Sequence, residues 1–372
     1  MARFLRRTTR AGAVLAAVAL PAPATSVAQT AAPPALGAET IDPGEPAFID
    51  FITKATIDRL QGQFPPGKQP VLRDAHPKTH VLVRAQFIVL DDVPQDLRHG
   101  VSARRRSFDA LIRFSAGGIE VQSDTVPQAN GMAIKLFGVE GTKILEKEQD
   151  ATTQDFVMIN NFPSFFVRNL ADYQAVHEAL GAEDPTKGTA KFFASHPEEL
   201  RAVMTMRGSV PLTSPFQGRY WSQTPIRLGP QAIKFSANPV SVPPATPGSG
   251  PDFLAEIAGE QLAQGDIYFD FLVQTQTDAV AMPIEDSLVV WDEARSPFRR
   301  VALIRIPKQP IGARSKALAE QLSFNPWHAL PEHRPIGAIN RARKAIYEAL
   351  AEFRHGRNGG PRGEPRTIPA LD

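Results

Sequence analysis

The sequence predicts an α+β fold, an antiparallel β-barrel with helices packed against it toward the C-terminal end. Three observations point there. Short runs rich in Val, Ile and Phe recur through the middle of the chain. The clearest helical periodicity lies near the C-terminus. A composition of 42% hydrophobic and 22% charged residues supplies a sizeable core and excludes wholesale disorder.

The elements follow in order. Residues 48–63 read as a helix, and Val81–Leu90 (VLVRAQFIVL) as a strand dense in β-branched residues. Ala110–Ser115, Gly131–Phe137 and Asp155–Ile159 read as further strands, and Leu170–Ala182 as a helix. Ser195 to Glu198 has capping-box spacing, which predicts a helix from there through Met206. Ala232–Ser236, Ile267–Thr275, Ser287–Trp291 and Val301–Ile306 complete the strands, with a Pro-rich connector at 239–251. Arg341–Phe353 is the strongest helix of all.

The 372 residues include no cysteine, which excludes disulfides, thiolate nucleophiles and Cys-ligated metals. Residues 1–28 carry a basic start (Arg3, Arg6, Arg7, Arg10), the apolar run AGAVLAAVAL and small residues at Ser26-Val27-Ala28. They read as a signal peptide cleaved after Ala28, sending the protein to the periplasm or outside the cell. The ten-residue apolar run is too short to span a bilayer. The pair Arg6-Arg7 also leaves a twin-arginine leader open beside the ordinary secretory one. Setting those four arginines aside leaves 37 basic against 39 acidic residues, a net charge of −2, so neither nucleic acid nor an anionic membrane is an expected partner. Residues 29–45 read as a flexible linker, 46–354 as the folded domain and 355–372 as a disordered tail.

The chain has no GxGxxG, P-loop, GxSxG, HExxH or CxxCH motif. His76 and His80 are four apart on a loop-to-strand stretch, without evident carboxylates to complete a metal site. The last helix is more specific. Arg343, Tyr347 and Arg354 stand at i, i+4 and i+11, within about 40° around the axis. They can form a solvated basic ridge with a snorkelling tyrosine. They can equally favour a phenolate: ionising a free tyrosine at neutral pH costs about 4 kcal/mol, which a guanidinium and a ferric ion on the oxygen together offset.

RxxxY followed by Arg seven residues later resembles the proximal haem motif of the haem catalases. Arg73-Asp74-Ala75-His76-Pro77-Lys78 resembles their R-x-x-H-x-K segment, and Arg113-Phe114-Ser115 their R-F-S strand. Ser123-Asp124-Thr125-Val126 with Gly131–Phe137 resembles S-D-T-V…G-F-A-x-K-F. Residues 160–168 (NNFPSFFVR) resemble N-N-x-P-x-F-F-x-R. The segments occur in the family's order over residues 73–354. Phe324-Asn325-Pro326-Trp327 and the short length resemble the small catalase-related branch.

The resemblance implies a catalase-like barrel that binds haem b through its iron and cleaves hydrogen peroxide or small organic hydroperoxides by way of a ferryl species, with a small-molecule electron donor. It implies Tyr347 as the iron ligand, with Arg343 holding its phenolate and Arg73, Arg113 and Arg354 meeting the propionates. It implies His76 as distal base and then acid, Asn160 as the amide donor to peroxide with Asn161 as the other candidate, and Ser115 orienting the imidazole. Tyr173, Phe165 or Phe166 would pack on the haem face. Ala75 and Ala116-Gly117-Gly118 are smaller than the family's usual residues, which predicts wider access for organic hydroperoxides. A homo-oligomer remains open, and a non-catalytic barrel carrying haem or another apolar ligand is the competing reading.

Overall fold

The computed structural model describes residues 33–208, 210–360 and 363–372. The leader at 1–28 and the first part of the 29–45 segment lie outside them. In chain order the elements are α1 (Glu45–Gln63), β1 (Thr79–Val89), β2 (Ser107–Ala116), β3 (Asn130–Phe137), β4 (Thr153–Asn160), α2 (Leu170–Leu180), α3 (Pro185–Ser195) and α4 (Pro197–Arg207). Then come β5 (Tyr220–Trp221), β6 (Ile226–Leu228), β7 (Gln231–Ser241), α5 (Phe253–Gln264), β8 (Ile267–Thr275), β9 (Arg299–Ile306), α6 (Ser315–Gln321) and α7 (Ala338–Asn358).

All strand pairs are antiparallel, in the order β5-β4-β3-β2-β1-β9-β8-β7-β6. A further pairing of β5 with β7 closes eight strands into a barrel and leaves β6 outside it. The expected α+β barrel is therefore the observed fold. Closure removes the unpaired edges that an open sheet would present.

Period-two alternation sorts the side chains of β2, β3 and β4. Ile112, Phe114, Ile134 and Phe156 point into a filled interior with Phe87, Phe235, Phe269 and Phe271. Phe87 meets Phe271 edge-on at 5.0 Å, and Phe156 meets Phe235 at 5.3 Å. The barrel is a packed core, so any large ligand must sit outside it. The opposite face of the same strands carries three cross-strand rows: Leu111–Lys135–Asp155, Arg113–Ala133–Val157 and Ser115–Gly131–Ile159. Against this outer face lie the helices, whose own core is Ile52, Phe165, Val167, Leu170, Val176, Phe192, Ile339, Ala342 and Ile346.

Several expectations change. Ser287–Trp291 is a loop: Asp286 and Asp292 side chains accept from backbone N–H groups two residues on, and these turns bracket the segment. Ser195 ends α3 and does not cap α4: its hydroxyl donates to Phe192 O, and His196 occupies the cap position without a side-chain bond. The strand β7 continues to Ser241 through Pro239, with a bulge after the proline. Residues 34–45 are anchored and do not form a free linker. Glu39 accepts from Arg334, Arg341 and the Gly337 N–H, and Arg341 also binds Glu45 bidentately through Nε and NH2.

The described part of the 355–372 segment is held as well. Leu371 packs with Leu82, Leu111 and Phe137, and Glu364 pairs with Lys135. Lys135 is fully buried between Asp155 at 2.7 Å and Glu364 at 2.5 Å. Burial alone would lower its pKa, but the two carboxylates outweigh that and raise it. Removing one partner of such a group leaves buried charge uncompensated. Lys135→Met is therefore expected to lower the unfolding free energy by about 3–5 kcal/mol, measured by urea titration; a loss below about 1 kcal/mol would show that the cluster carries no net burden of charge.

Candidate active site

A cavity of about 760 Å³ opens between the outer face of β2–β4 and the helices α1, α2 and α7. Its size suits a cofactor or substrate. His76, Arg113, Ser115, Gly131 and Val157 line one side, and Tyr173, Arg343, Tyr347 and Arg354 come from the helices. Segments distant in the sequence thus converge because the barrel's outward-facing row and the long final helix face each other.

His76 sits in a loop just before β1, with φ of 61°. A left-handed conformation at a residue with a Cβ costs about 1–2 kcal/mol, so it needs holding. Its N–H donates to Gly118 O at 3.0 Å, and its carbonyl accepts from the Arg113 guanidinium at 2.7 Å. The ring nitrogen Nδ1 lies 3.2 Å from Ser115 Oγ. A Cβ at Gly131 would come within 2.6 Å of the imidazole, so this row of β3 is bare where the ring must fit. Burial first, and then the charges of Arg113 and Arg73, pull the His76 pKa down to about 3. The imidazole is neutral across the physiological range and ready to accept a proton.

On α7, the Arg343 guanidinium donates to Tyr347 Oη at 3.2 Å and is itself fixed by Thr224 Oγ1 and Asn340 Oδ1. Arg354 turns elsewhere. It donates to the carbonyls of Glu320 and Leu322 at the end of α6. Arg73 donates to Glu320 Oε2 at 2.8 Å and to the carbonyls of Ala319 and Leu322. Arg113 donates to Thr79 Oγ1 and lies 3.7 Å from Glu320 Oε1. Two guanidiniums, Arg73 and Arg113, thus share the Glu320 carboxylate, and a third, Arg354, bonds that residue's backbone carbonyl. Burial and then Arg73 pull Arg354 down to about 9, and burial and Arg73 hold Arg113 well below its ordinary range. Glu320 and Thr79 have no motif that could have singled them out. Only the requirement that buried cations find an anion would have asked for the carboxylate.

Phe165, Phe166 and Tyr173 line the cavity in edge-on contact, Phe165 to Tyr173 at 5.6 Å and Phe166 to Tyr173 at 5.9 Å. Burial raises the Tyr173 pKa, so its phenol stays neutral. Asn160 and Asn161 are not in the cavity wall. Asn160 is fully buried with its amide oxygen accepting the Asn130 N–H at 2.6 Å, while its nitrogen lacks a partner. Asn161 donates to Met206 O. Ala75 and Gly117 do line the cavity, whereas Ala116 and Gly118 do not. A Cβ at Gly117 would strike Ala129 O at 2.8 Å, so its small size serves chain packing as well as access.

His76 and His80 do not converge. The His80 ring bonds Asn130 Oδ1 at 2.9 Å in the sheet. Among the described residues, the cluster with metal-ligand spacing is Glu148, His328 and Glu364. There Glu148 lies on Nδ1 of the ring at 2.7 Å and Glu364 on the Nε2 side at 3.7 Å, with Lys135 already on Glu364. One imidazole cannot offer both nitrogens to one ion, and here Nε2 already meets Thr153 Oγ1 at 2.7 Å. Among the described residues no helix is long and apolar enough to cross a membrane.

Comparison with known proteins adds the fold's relatives. No family model matches the sequence, and no curated protein matches it. Solved structures do. The chain is similar to a fungal catalase at 19% identity and TM-score 0.63, covering 87% of this chain and 66% of that one. It is similar to catalase A from Saccharomyces cerevisiae at 20% identity and TM-score 0.63, covering 80% and 64%. A bacterial catalase matches at 16% identity and TM-score 0.58, covering 78% and 58%. The chain has the catalase fold and spans 58% to 66% of the length of those three proteins.

The bare row at Gly131 gives a direct test of the geometry. Gly131→Ala is expected to displace the His76 ring and leave the barrel folded, since Ile112 and Met132 still fill the interior. Imidazole nuclear magnetic resonance signals of the variant should show a shifted or broadened His76; an unchanged His76 signal would refute the contact.

Proposed function

We propose that this chain is a haem-dependent, peroxide-cleaving oxidoreductase. The observation that carries the reading is one cavity bearing a phenol braced by a guanidinium, a neutral imidazole, and three guanidiniums of which two share one carboxylate and the third bonds uncharged carbonyls nearby. The residues fit an iron porphyrin. Its two carboxylates would answer the surplus positive charge of Arg73, Arg113 and Arg354. Its apolar faces would meet Val157, Phe165 and Phe166. Its ferric ion would take the Tyr347 oxygen. The likeness to catalases in fold supports the same reading.

When bound, haem supplies an iron centre able to take two electrons' worth of oxidation from a peroxide. The chain's own groups do the rest. With Nδ1–H donating to Ser115 Oγ, His76 keeps the Nε2 lone pair free. It can accept the first proton of a peroxide and return it to the leaving oxygen. Arg113 holds the His76 carbonyl and so fixes the backbone under that ring. Arg343 donates to the Tyr347 oxygen and stabilises it as an anion. Ala75 and Gly117 leave room for a small organic hydroperoxide beside hydrogen peroxide. Export through the 1–28 leader and a small-molecule electron donor belong to the same proposal; N-terminal sequencing of exported protein beginning near Gln29 tests the first.

A non-catalytic haem carrier has one observation on its side, that neither Asn160 nor Asn161 lines the cavity. Absorbance spectra of haem-supplied protein separate the two. The enzyme reading expects a high-spin ferric spectrum that changes promptly on adding peroxide; a stable spectrum inert to peroxide favours the carrier. His76→Ala should retain haem and lose about 100-fold or more of peroxide cleavage, whereas Tyr347→Phe should weaken haem binding or alter its spectrum.

The acid limit of the reaction gives a further test. A base acts only above its own pKa. Burial, the first cause of the lowering, keeps that of His76 below the ordinary imidazole value even where bound carboxylates answer the charges of Arg113 and Arg73. Stopped-flow kcat/KM for hydrogen peroxide should therefore stay level from about pH 7 to about pH 5. A limb near the ordinary imidazole pKa of about 6.5 would contradict a buried, cation-flanked base.

A further inference from the structure

We propose that Arg59 and Asp74 are positioning residues for His76, acting as a buried clasp that ties the loop carrying the imidazole to α1. The inference rests on the peroxide-cleaving reading for its catalytic consequence. Arg59 Nε and NH2 donate to Asp74 Oδ1 and Oδ2 at 3.0 and 2.8 Å, a bidentate pair. Its side chains are 17% and 7% exposed, so solvent screens it little. Arg59 NH1 also lies 3.3 Å from His177 Nδ1 on α2. Burial, and then the charge of Arg59, pull His177 down to about 4, so its nitrogen is an acceptor. Arg59, Asp74 and His177 all line the cavity.

Asp74 is two residues before the left-handed His76, and beside the His76 N–H on Gly118 O the loop has side-chain anchors to three elements. Arg73 fastens it to the end of α6, the His76 carbonyl to Arg113 on β2, and Asp74 to Arg59 on α1. The first two hold it to the barrel side of the cavity. The clasp joins it directly to α1 in the helical layer, and upstream Val71 exchanges two hydrogen bonds with Asn358 at the end of α7, the helix from which Tyr347 projects. A left-handed backbone relaxes unless it is held from more than one side. The clasp therefore sets the imidazole relative to the opposite wall. Arg59 is neutralised by Asp74, which separates it from the guanidiniums left with surplus charge.

Hydrogen exchange of the peptide spanning residues 72–78 tests this without haem. In Arg59→Gln, Asp74→Asn and the double variant, exchange should rise about 10-fold or more, and the double should match the singles because both remove one interaction. Lys54→Gln, which breaks an exposed pair on the same helix, should leave exchange and activity unchanged. In haem-loaded protein the clasp variants should lose about 10- to 100-fold in kcat with little change in KM, as misplacement of a base does. Arg59→Lys should restore part of the loss. Should Arg59→Gln fail to fold, Asp74→Asn keeps the side-chain shape and is read in its place. Unchanged exchange in a folded Asp74→Asn overturns the clasp. Raised exchange with wild-type kcat overturns its positioning role. If the wild-type chain takes no haem or leaves peroxide intact, the functional reading fails, and the exchange experiment still decides the clasp.

Discussion

Buried positive charge organises this molecule. Arg73 and Arg113 converge on the carboxylate of Glu320 and Arg354 on its backbone carbonyl, and their guanidiniums are drawn into a cavity wall where water screens them poorly. Charges in such a place must be paired or must titrate. Burial and mutual repulsion lower the proton affinity of Arg113 and Arg354, the physical reason an anionic group beside them would be favoured. A fourth guanidinium, Arg343, is committed instead to the oxygen of Tyr347.

The fold makes this arrangement affordable. A barrel filled with phenylalanine needs nothing inside it, so the outward rows of β2, β3 and β4 are free to carry polar residues. One row, Lys135 with Asp155, is closed over by the C-terminal tail through Glu364. The next two rows supply Arg113, Ser115 and the bare Gly131, and they form the cavity. The helices close the other side because α7 presents Arg343, Tyr347 and Arg354 along one ridge, as its 3.6-residue period requires. The same layer reaches the His76 loop through Arg59 and Asp74.

Much of the barrel was legible because its strands alternate strongly. Seven strands expected from the sequence occur within a few residues of their expected bounds, and the ridge on the last helix faces the cavity as its spacing required. Two helices, α3 and α5, carry enough helical period to have been read and were not, whereas other elements that escaped had weak local signals. The strands β5 and β6 have two and three residues, too few for any period. Ser287–Trp291 is apolar enough for a strand, yet aspartates at both ends turn the chain. The Pro- and Gly-rich ends read as loose because composition does not reveal a single buried ion pair. Glu39 and Glu364 each anchor such an end through a distant partner. At the site, residues within one element were readable and cross-element partners were not. The 113/115 spacing on β2 was visible, whereas Glu320, Thr79 and the Arg59–Asp74 pair depend on packing between elements. Asn160 is the converse case: the motif is present, but its amide oxygen is taken by the Asn130 N–H and the side chain lies off the cavity wall.

The phenol on α7 is where the chemistry meets the fold, since it joins the helical layer to whatever occupies the cavity. Resonance Raman spectroscopy of the haem-reconstituted chain tests the proposed bond between this phenol and iron directly. Excitation in the charge-transfer region should enhance phenolate ring modes that move when tyrosine is ring-deuterated and vanish in Tyr347→Phe. Haem modes alone, or phenolate modes that persist in Tyr347→Phe, would contradict an iron held by this tyrosine.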